Sequence, residues 1–424
     1  MNNIKPEIKT IQKVTKEIII NTTTPNGNTI NEIQNNKNYN IDLNINNSNH
    51  ELIDDHQESN PIIGLDNING KSSYINTVIQ CLSHTIPLTN FFLNENNKNR
   101  IIYNNISLHK PDAPQLSPTY LNLLENLWIN NNQLKSFTPS EFIKMIKLLN
   151  NSFEKEEEND INELIIFILE QLDLELNNKI NIENVKTDLN NNKNSIKSNF
   201  YKELLNNDSI IYDTFFGGVC EITQECQKCK EESDLNKKEN NIIYEYRNIN
   251  YLIFPLNEVL IFSKKNNIND YIDIYDCLNF YENPVILDGD NAKKCEKCGK
   301  LSPYSLITTI NTLQNNLLVL LSIDFKKENN IKFKIDEILD MTNFIKEKEN
   351  NKQLLYNLYS IICLSNNKEI HYIAFCKNTF DKKWYKYDDN KVEEIKKLGN
   401  DILNFGFPIA LFYEKEFNFK MDDN

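Results

Sequence analysis

Glycine is scarce in this chain, with 9 in 424 residues, or about 2% where ~7% is usual. Asparagine fills the gap at roughly one residue in six, and the Asn-rich runs read as compositional drift in loops. Long apolar runs are missing too. A run such as Leu317–Leu321 is far too short to span a bilayer, and the N-terminus lacks the apolar core of a secretory signal. Nor is there a basic surplus: 46 Lys and Arg face 60 Asp and Glu, a formal charge of −14, which argues against a general nucleic-acid binder. The chain is therefore expected to engage neither membrane nor nucleic acid.

What is present is enough for a substantial core. Forty per cent of the residues are hydrophobic, with 22 Phe and 19 Tyr, so a wholly disordered or fibrous chain is excluded. Nine cysteines, an odd number without an export signal, point to the reducing cytosol or nucleus. There a cysteine serves as metal ligand, nucleophile or core residue rather than in a disulfide. The length allows two or three domain-sized units, or one large domain with insertions.

Residues 1–60 are Asn/Thr/Ile-rich without helical period and read as a disordered tail, and 416–424 as a short C-terminal one. Ile75, Val78, Ile79 and Leu82 fall at i, i+3, i+4, i+7, an apolar helix stripe. Residues 116–150 look helical, with Thr138-Pro139-Ser140-Glu141 as a start signal, and 161–176 form another amphipathic helix. The Asn/Lys-rich stretch 177–208 reads as an inserted loop. Beyond about 215 the texture becomes β-like, with strands expected over 242–256, 317–325, 358–364, 371–377, 383–389 and 408–415. Helices followed by a largely antiparallel sheet argue for an α+β fold.

Two Cys-x-Lys-Cys pairs, Cys226/Cys229 and Cys295/Cys298, interrupt the β region. Structural zinc takes four thiolates in a tetrahedron, two from each tight knuckle. The 65 residues between the pairs place them at the ends of two different hairpins. All four positions are cysteine, so no coordination position is left open for catalysis, and the zinc would hold a fold together. Nearby lysines (Lys228, Lys230, Lys293, Lys294, Lys297) favour thiolates.

Gly64 and Gly70 frame a turn that runs directly into the first helix, the arrangement by which a thiol protease presents its nucleophile to a helix N-terminus. From Gly64 to Ser83 the segment resembles the cysteine box GLxNLGNTCYMNSxLQCL of the ubiquitin-specific protease family. Five more segments follow in that family's order. Residues 159–178 resemble its QDAxEFLxxLLxxLxxEL helix, and 211–229 and 275–298 the approaches to its two zinc knuckles. Residues 369–392 resemble its GHYxAY…WYxFDDxxV histidine box, and 408–415 its closing strand. Single matches are weak, but six in order, covering about 60–415, are specific. The resemblance implies a papain-like cysteine protease fold of fingers, palm and thumb. The thumb is expected at about 61–210, the zinc-tipped fingers at about 211–304 and the palm sheet at about 305–415. It also implies a monomeric partner of ubiquitin, a ubiquitin-like protein or ubiquitinated proteins, whose tail would run between thumb and palm.

The departures from the family pattern concern the active site. Anchoring on Tyr74-Ile75-Asn76 puts Ser73 at the nucleophile position; anchoring on Gly64-Leu65-Asp66-Asn67 puts Ser72 there, because the chain has one extra residue between the anchors. Either way a hydroxyl stands where the family has a thiol. The resemblance makes His371 the general base, Asp388 the residue that orients it, Asp389 a second candidate for that role, and Asn67 the oxyanion donor. Ile370 stands where the family has glycine beside its histidine. A hydroxyl is far less acidic than a thiol near 8.5, and a thiol site does not become a serine protease by one exchange. The expectation is a ubiquitin-recognising domain that is inactive or severely impaired. The alternative is an active thiol-dependent hydrolase scaffold in which the serine is an engineered or erroneous residue. The remaining histidines (His50, His56, His84, His109) match no catalytic position.

Overall fold

The computed structural model describes residues 62–103, 114–129, 135–154, 160–177, 193–205, 207–236, 242–266, 271–323, 331–347, 353–366, 370–396, 398 and 400–416. The expected tails at 1–60 and beyond 416, and His50, His56 and His109, lie outside them.

The apolar run Leu317–Leu321 explains the architecture. It forms strand β10 (Asn316–Ser322). Leu318 and Leu320 enter one hydrophobic cluster, while Leu317, Val319 and Leu321 enter another. A strand reads as continuously apolar when both faces of its sheet are covered. The same split recurs on β16 (Gly406–Lys415), with Ala410 and Phe412 on one side and Leu411 and Tyr413 on the other.

The central sheet has eight strands. Its other members are β5 (Leu252–Pro255), β11 (Ile338–Asp340), β12 (Leu355–Ser365), β13 (Tyr372–Lys377), β14 (Trp384–Asp388) and β15 (Lys391–Ile395). The order is β15-β14-β13-β12-β16-β10-β5, with β11 on β12. Pairing is antiparallel except where β5 joins β10 in parallel.

One face carries the N-terminal helices: α1 (Ser73–Ser83), α2 (Ile86–Leu93), α3 (Glu95–Tyr103), α4 (Ser117–Trp128), α5 (Ser140–Leu149) and α6 (Ile161–Leu176). Helix α1 is buried along its whole length, not only on the expected stripe. Three of its polar side chains donate to backbone carbonyls: the Thr77 hydroxyl to Tyr74 O, Ser83 to Gln80 O, and the Gln80 amide to Ile63 O. Between α4 and α5 the chain forms β2 (Ser136–Phe137), paired in parallel with β1 (Gly64–Leu65).

The second, four-stranded sheet comprises β3 (Gly218–Cys226), β4 (Ile242–Ile249), β6 (Val285–Leu287) and β9 (Tyr304–Thr312), in the order β4-β3-β9-β6. A small hairpin, β7 (Lys293–Lys294) and β8 (Leu301–Ser302), projects from it.

The α+β expectation holds, with three corrections. The stretch 177–208 is not simply a loop: it contains α7 (Lys193–Leu204), held by Lys193–Glu221 and Lys197–Glu347 ion pairs. The apparent strand 242–256 is two strands in two sheets, because the chain crosses from one to the other at Asn250–Tyr251. The β region also holds α8 (Gln227–Asn236), α9 (Leu256–Asn266) and α10 (Ile274–Glu282), followed near the end by α11 (Asn400–Phe405). Leu256, Val259, Ile274, Cys277 and Leu278 of α9 and α10 cover the second face of the central sheet.

At Gly64 the N-terminal segment lies tight against the β14–β15 connection. A Cβ there would lie 2.6 Å from the backbone of Asn390. Gly64→Ala is therefore expected to lose roughly 1–3 kcal/mol of stability in urea titrations. Gly217→Ala, whose Cβ would find its nearest neighbour at 3.4 Å, should lose less than Gly64→Ala.

Candidate active site

The site forms where three segments meet: the turn before α1, the residue just before β13, and the tight connection between β14 and β15. Residues Ile68–Gly70 make a single 3₁₀ turn in which Asn69 and Gly70 take left-handed backbone angles (φ 56° and 71°). Asparagine and glycine are the residues that accept this conformation readily. The Ser72 hydroxyl closes the turn, accepting from Ile68 N (2.8 Å) and donating to Asn67 Oδ1 (3.2 Å). Ser72 N donates to the same oxygen at 2.8 Å. The two serines thus sit differently: Ser72 is tied into the turn, and Ser73 is the first residue of α1, buried at the helix N-terminus. Among the described residues no hydrogen bond joins the Ser73 hydroxyl to His371.

His371 immediately precedes β13, and the β13–β14 hairpin pairs Ala374 with Tyr387. This register brings His371 Nε2 to 2.7 Å from Asp388 Oδ1. With Nε2 engaged, Nδ1 is the nitrogen left to exchange a proton. The Asp388 hydrogen bond raises the His371 pKa against the opposing effect of burial, and the Asp388 and Asp389 charges add to the rise. Asp388 is lowered in turn, first by its bond to His371.

Asp389 does something else. Its backbone is left-handed (φ 53°) and its carboxylate points at the N-terminal segment. Oδ2 accepts from Asn67 Nδ2 at 2.7 Å and Oδ1 from Asn76 Nδ2 at 2.9 Å, while its carbonyl accepts from Leu65 N at 2.9 Å. The two neighbouring aspartates therefore divide: Asp388 holds the imidazole and Asp389 holds two asparagines. Asn76 escaped the sequence reading, although it lies three residues after Ser73, one turn along the same helix face. The Asn67 carboxamide keeps a second N–H beyond the one given to Asp389, so it can still donate to an oxyanion. Asp66, Asn67 and Asp388 to Lys391 line a cleft of about 270 Å³ at this point. Thr138, expected only as a helix-start residue, donates to Asp66 Oδ2 at 2.6 Å and, ahead of other hydrogen bonds, lowers the Asp66 pKa.

His84 belongs to the core. It is buried between Trp128 and Tyr387, with ring centroids at 5.9 and 5.5 Å, and its Nδ1 lies 2.8 Å from Gln80 O.

The cysteine pairs converge at the far end of the four-stranded sheet. Cys226 ends β3 and Cys229 lies in the first turn of α8; Cys295 and Cys298 lie in the β7–β8 hairpin. Their sulfurs all fall within 4.8 Å of one another, with Cys229 and Cys295 3.6 Å apart. A tetrahedron of thiolates at ~2.3 Å from a metal has edges of about 3.8 Å, so the cluster fits a four-coordinate metal. Burial opposes ionising Cys295, but the Tyr304 hydroxyl and nearby backbone N–H groups outweigh it and bring the thiol to about 6. Of the lysines expected to favour thiolates, Lys228 instead bridges the knuckles by donating to Leu301 O.

The His371–Asp388 pair sets a pH window. A raised histidine contributes stability that is complete below its ordinary 6.5 and lost as pH rises through the higher folded value. A lowered aspartate contributes stability present above its ordinary 3.8 and lost as pH falls through the lower folded value. Relative to Asp388→Asn, the protein should be more stable by about 1 kcal/mol or less between these limits. The difference should shrink on either side in chemical denaturation measured across pH.

Known proteins resemble this chain over most of its length. The family model described as ubiquitin carboxyl-terminal hydrolase matches residues 63–413. Ubiquitin carboxyl-terminal hydrolase Usp2 of Drosophila melanogaster is 26% identical over 369 residues, covering 85% of this chain and 35% of its own length. The probable ubiquitin carboxyl-terminal hydrolase 4 of Schizosaccharomyces pombe is 24% identical over 375 residues, covering 83% and 58% respectively. The chain thus spans only part of these relatives. Among solved structures, the SAGA Ubp8/Sgf11/Sus1/Sgf73 DUB module bound to ubiquitin aldehyde aligns with a TM-score of 0.55 at 18% identity, over 84% of this chain and 70% of that one. The shared fold is the papain-like arrangement in which the helices form the thumb, the central sheet the palm and the four-stranded sheet the fingers. Because the family match runs from the segment just before the turn to the end of the last palm strand, the chain belongs to the ubiquitin carboxyl-terminal hydrolase family.

Proposed function

We propose that this domain recognises ubiquitin, or a protein built like it, on a complete scaffold while lacking normal hydrolase turnover. The observation that carries this reading is Ser73 at the first position of α1, where the family's cysteine box has its nucleophile. There a helix N-terminus and a neighbouring imidazole would turn a thiol into a thiolate. They do not ionise a hydroxyl, whose attack needs a base aligned with it in the resting state. Asn67 is the oxyanion donor in this reading, His371 the base and Asp388 its orienting residue, and Asp389 holds Asn67 in place. The intact His371–Asp388 pair favours a second reading, in which the site is a working thiol-dependent hydrolase scaffold short of one sulfur atom.

Ubiquitin carrying a C-terminal electrophile separates the two serines and the two readings. The protein itself should remain unlabelled, Ser73→Cys should gain a covalent adduct at residue 73, and Ser72→Cys should not. Labelling of the unmodified chain at either serine would overturn the impaired-enzyme reading.

The four clustered cysteines are proposed to hold structural zinc. Cys226, Cys229, Cys295 and Cys298 would close its shell, and the metal would pin the β7–β8 hairpin to the end of β3. None of the nine cysteines forms a disulfide, which fits a reducing compartment such as cytosol or nucleus. Elemental analysis should find a single zinc per chain, lost in Cys295→Ser together with part of the thermal stability.

A further inference from the structure

His371, Asp388 and Asp389 form one cluster, with a donor atom from each lying within 4.8 Å of the others. Consecutive residues of an extended strand send their side chains to opposite faces. The left-handed backbone of Asp389 (φ 53°), just past the end of β14, is what lets both carboxylates reach one histidine. The cluster is open to an ion from solvent, since the His371 and Asp388 side chains are only partly buried. The cleft beside it is lined by three carboxylates, Asp66, Asp388 and Asp389, and one ammonium, Lys391.

Each carboxylate oxygen carries two lone pairs, and the hydrogen bonds made among the described residues leave some of them over. Asp389 gives one on each oxygen to Asn67 and Asn76. Asp388 gives one on Oδ1 to His371, while Lys386 Nζ stands 3.9 Å from its Oδ2. The two asparagine amides fix the direction of the Asp389 carboxylate, as outer partners do for metal-ligating carboxylates. A second observation points the same way. Asn76 is 2% exposed and its amide nitrogen lies 2.9 Å from Asp389 Oδ1, yet its own Oδ1 has no hydrogen-bond partner among the described residues. A buried oxygen left so is costly, and a positive charge bound at the neighbouring carboxylate would lessen the cost.

We propose that His371, Asp388 and Asp389 bind a first-row transition dication, at a site separate from the four-cysteine cluster. One imidazole nitrogen with carboxylate oxygens suits Mn²⁺, Co²⁺ or Zn²⁺ better than the all-oxygen sites of Mg²⁺ and Ca²⁺. An octahedral ion with donors at about 2.1 Å sets neighbouring donors about 3 Å apart and opposite ones about 4.2 Å. The His371–Asp388 contact, now 2.7 Å, would open by only a few tenths of an ångström. The ion takes the Nε2 lone pair of His371. The ring's remaining proton then resides on Nδ1, so the imidazole cannot serve as a base while the ion is bound. The site depends only on these side chains and not on what the domain recognises.

Manganese binding by the full chain tests it, because Mn²⁺ takes nitrogen and oxygen ligands in preference to thiolates and its free form is counted directly by electron paramagnetic resonance. The natural chain should hold one Mn²⁺ about tenfold or more tighter than its scattered surface carboxylates do. His371→Gln and Asp388→Asn should each weaken that site about tenfold or more. Lys386→Met removes the ammonium beside Asp388 and should instead tighten binding about threefold, an increase that a merely structural role of these residues would not give. Melting temperatures taken without metal show which variants are folded. A natural chain that holds Mn²⁺ no more tightly than His371→Gln overturns the site. So does a folded Lys386→Met chain whose binding falls together with that of the other two variants.

Discussion

One carboxylate connects the parts of the molecule that define the site. Asp389 sits on the turn between two palm strands, yet its oxygens are filled by Asn67 from the N-terminal turn and Asn76 from α1, across 322 and 313 residues of sequence. A carboxylate with two amide donors is satisfied where it sits, whereas the same group left without them would be costly to desolvate. The contact forms only when thumb and palm have docked. Leu65 N on the Asp389 carbonyl and Gly64 against Asn390 repeat the connection in the backbone, so the turn before α1 takes its shape from a loop made hundreds of residues later.

This long-range closure explains what the sequence showed and what it hid. The His371–Asp388 contact was legible because it is local: a short hairpin between two alternating strands fixes it by register. The cysteine cluster was legible because two identical Cys-x-Lys-Cys spacings point to one four-sulfur site. The roles of Asp389, Asn76 and Thr138 were not, since each depends on a partner that only the tertiary fold supplies. Sequence reading also left Ser72 and Ser73 as rivals for one position. The backbone separates them, because the Ser72 hydroxyl is spent on Ile68 N and Asn67.

The secondary-structure misses have a similar cause. Residues 242–256 look like one strand because both sheets ask for apolar, β-branched residues, and nothing local marks the crossing at Asn250–Tyr251. Helices α9 and α10 were submerged in a β-rich region; the Asp273 capping box that starts α10, with its side chain bound to Asp276 N, was the signal that could have revealed one of them. The doubly covered sheet, in contrast, is written in the unbroken run Leu317–Leu321 of an expected strand.

Helix α1 is buried from end to end, but its packing and its chemistry occupy different turns. Ile75, Val78, Ile79 and Leu82 carry the core, while residue 73 lies at the edge where the helix meets the turn. Exchange of sulfur for oxygen at that edge leaves the strut untouched. Packing of the helix core therefore does not depend on whether residue 73 carries oxygen or sulfur, and the fold and the chemistry of the cleft are set by different turns of one helix.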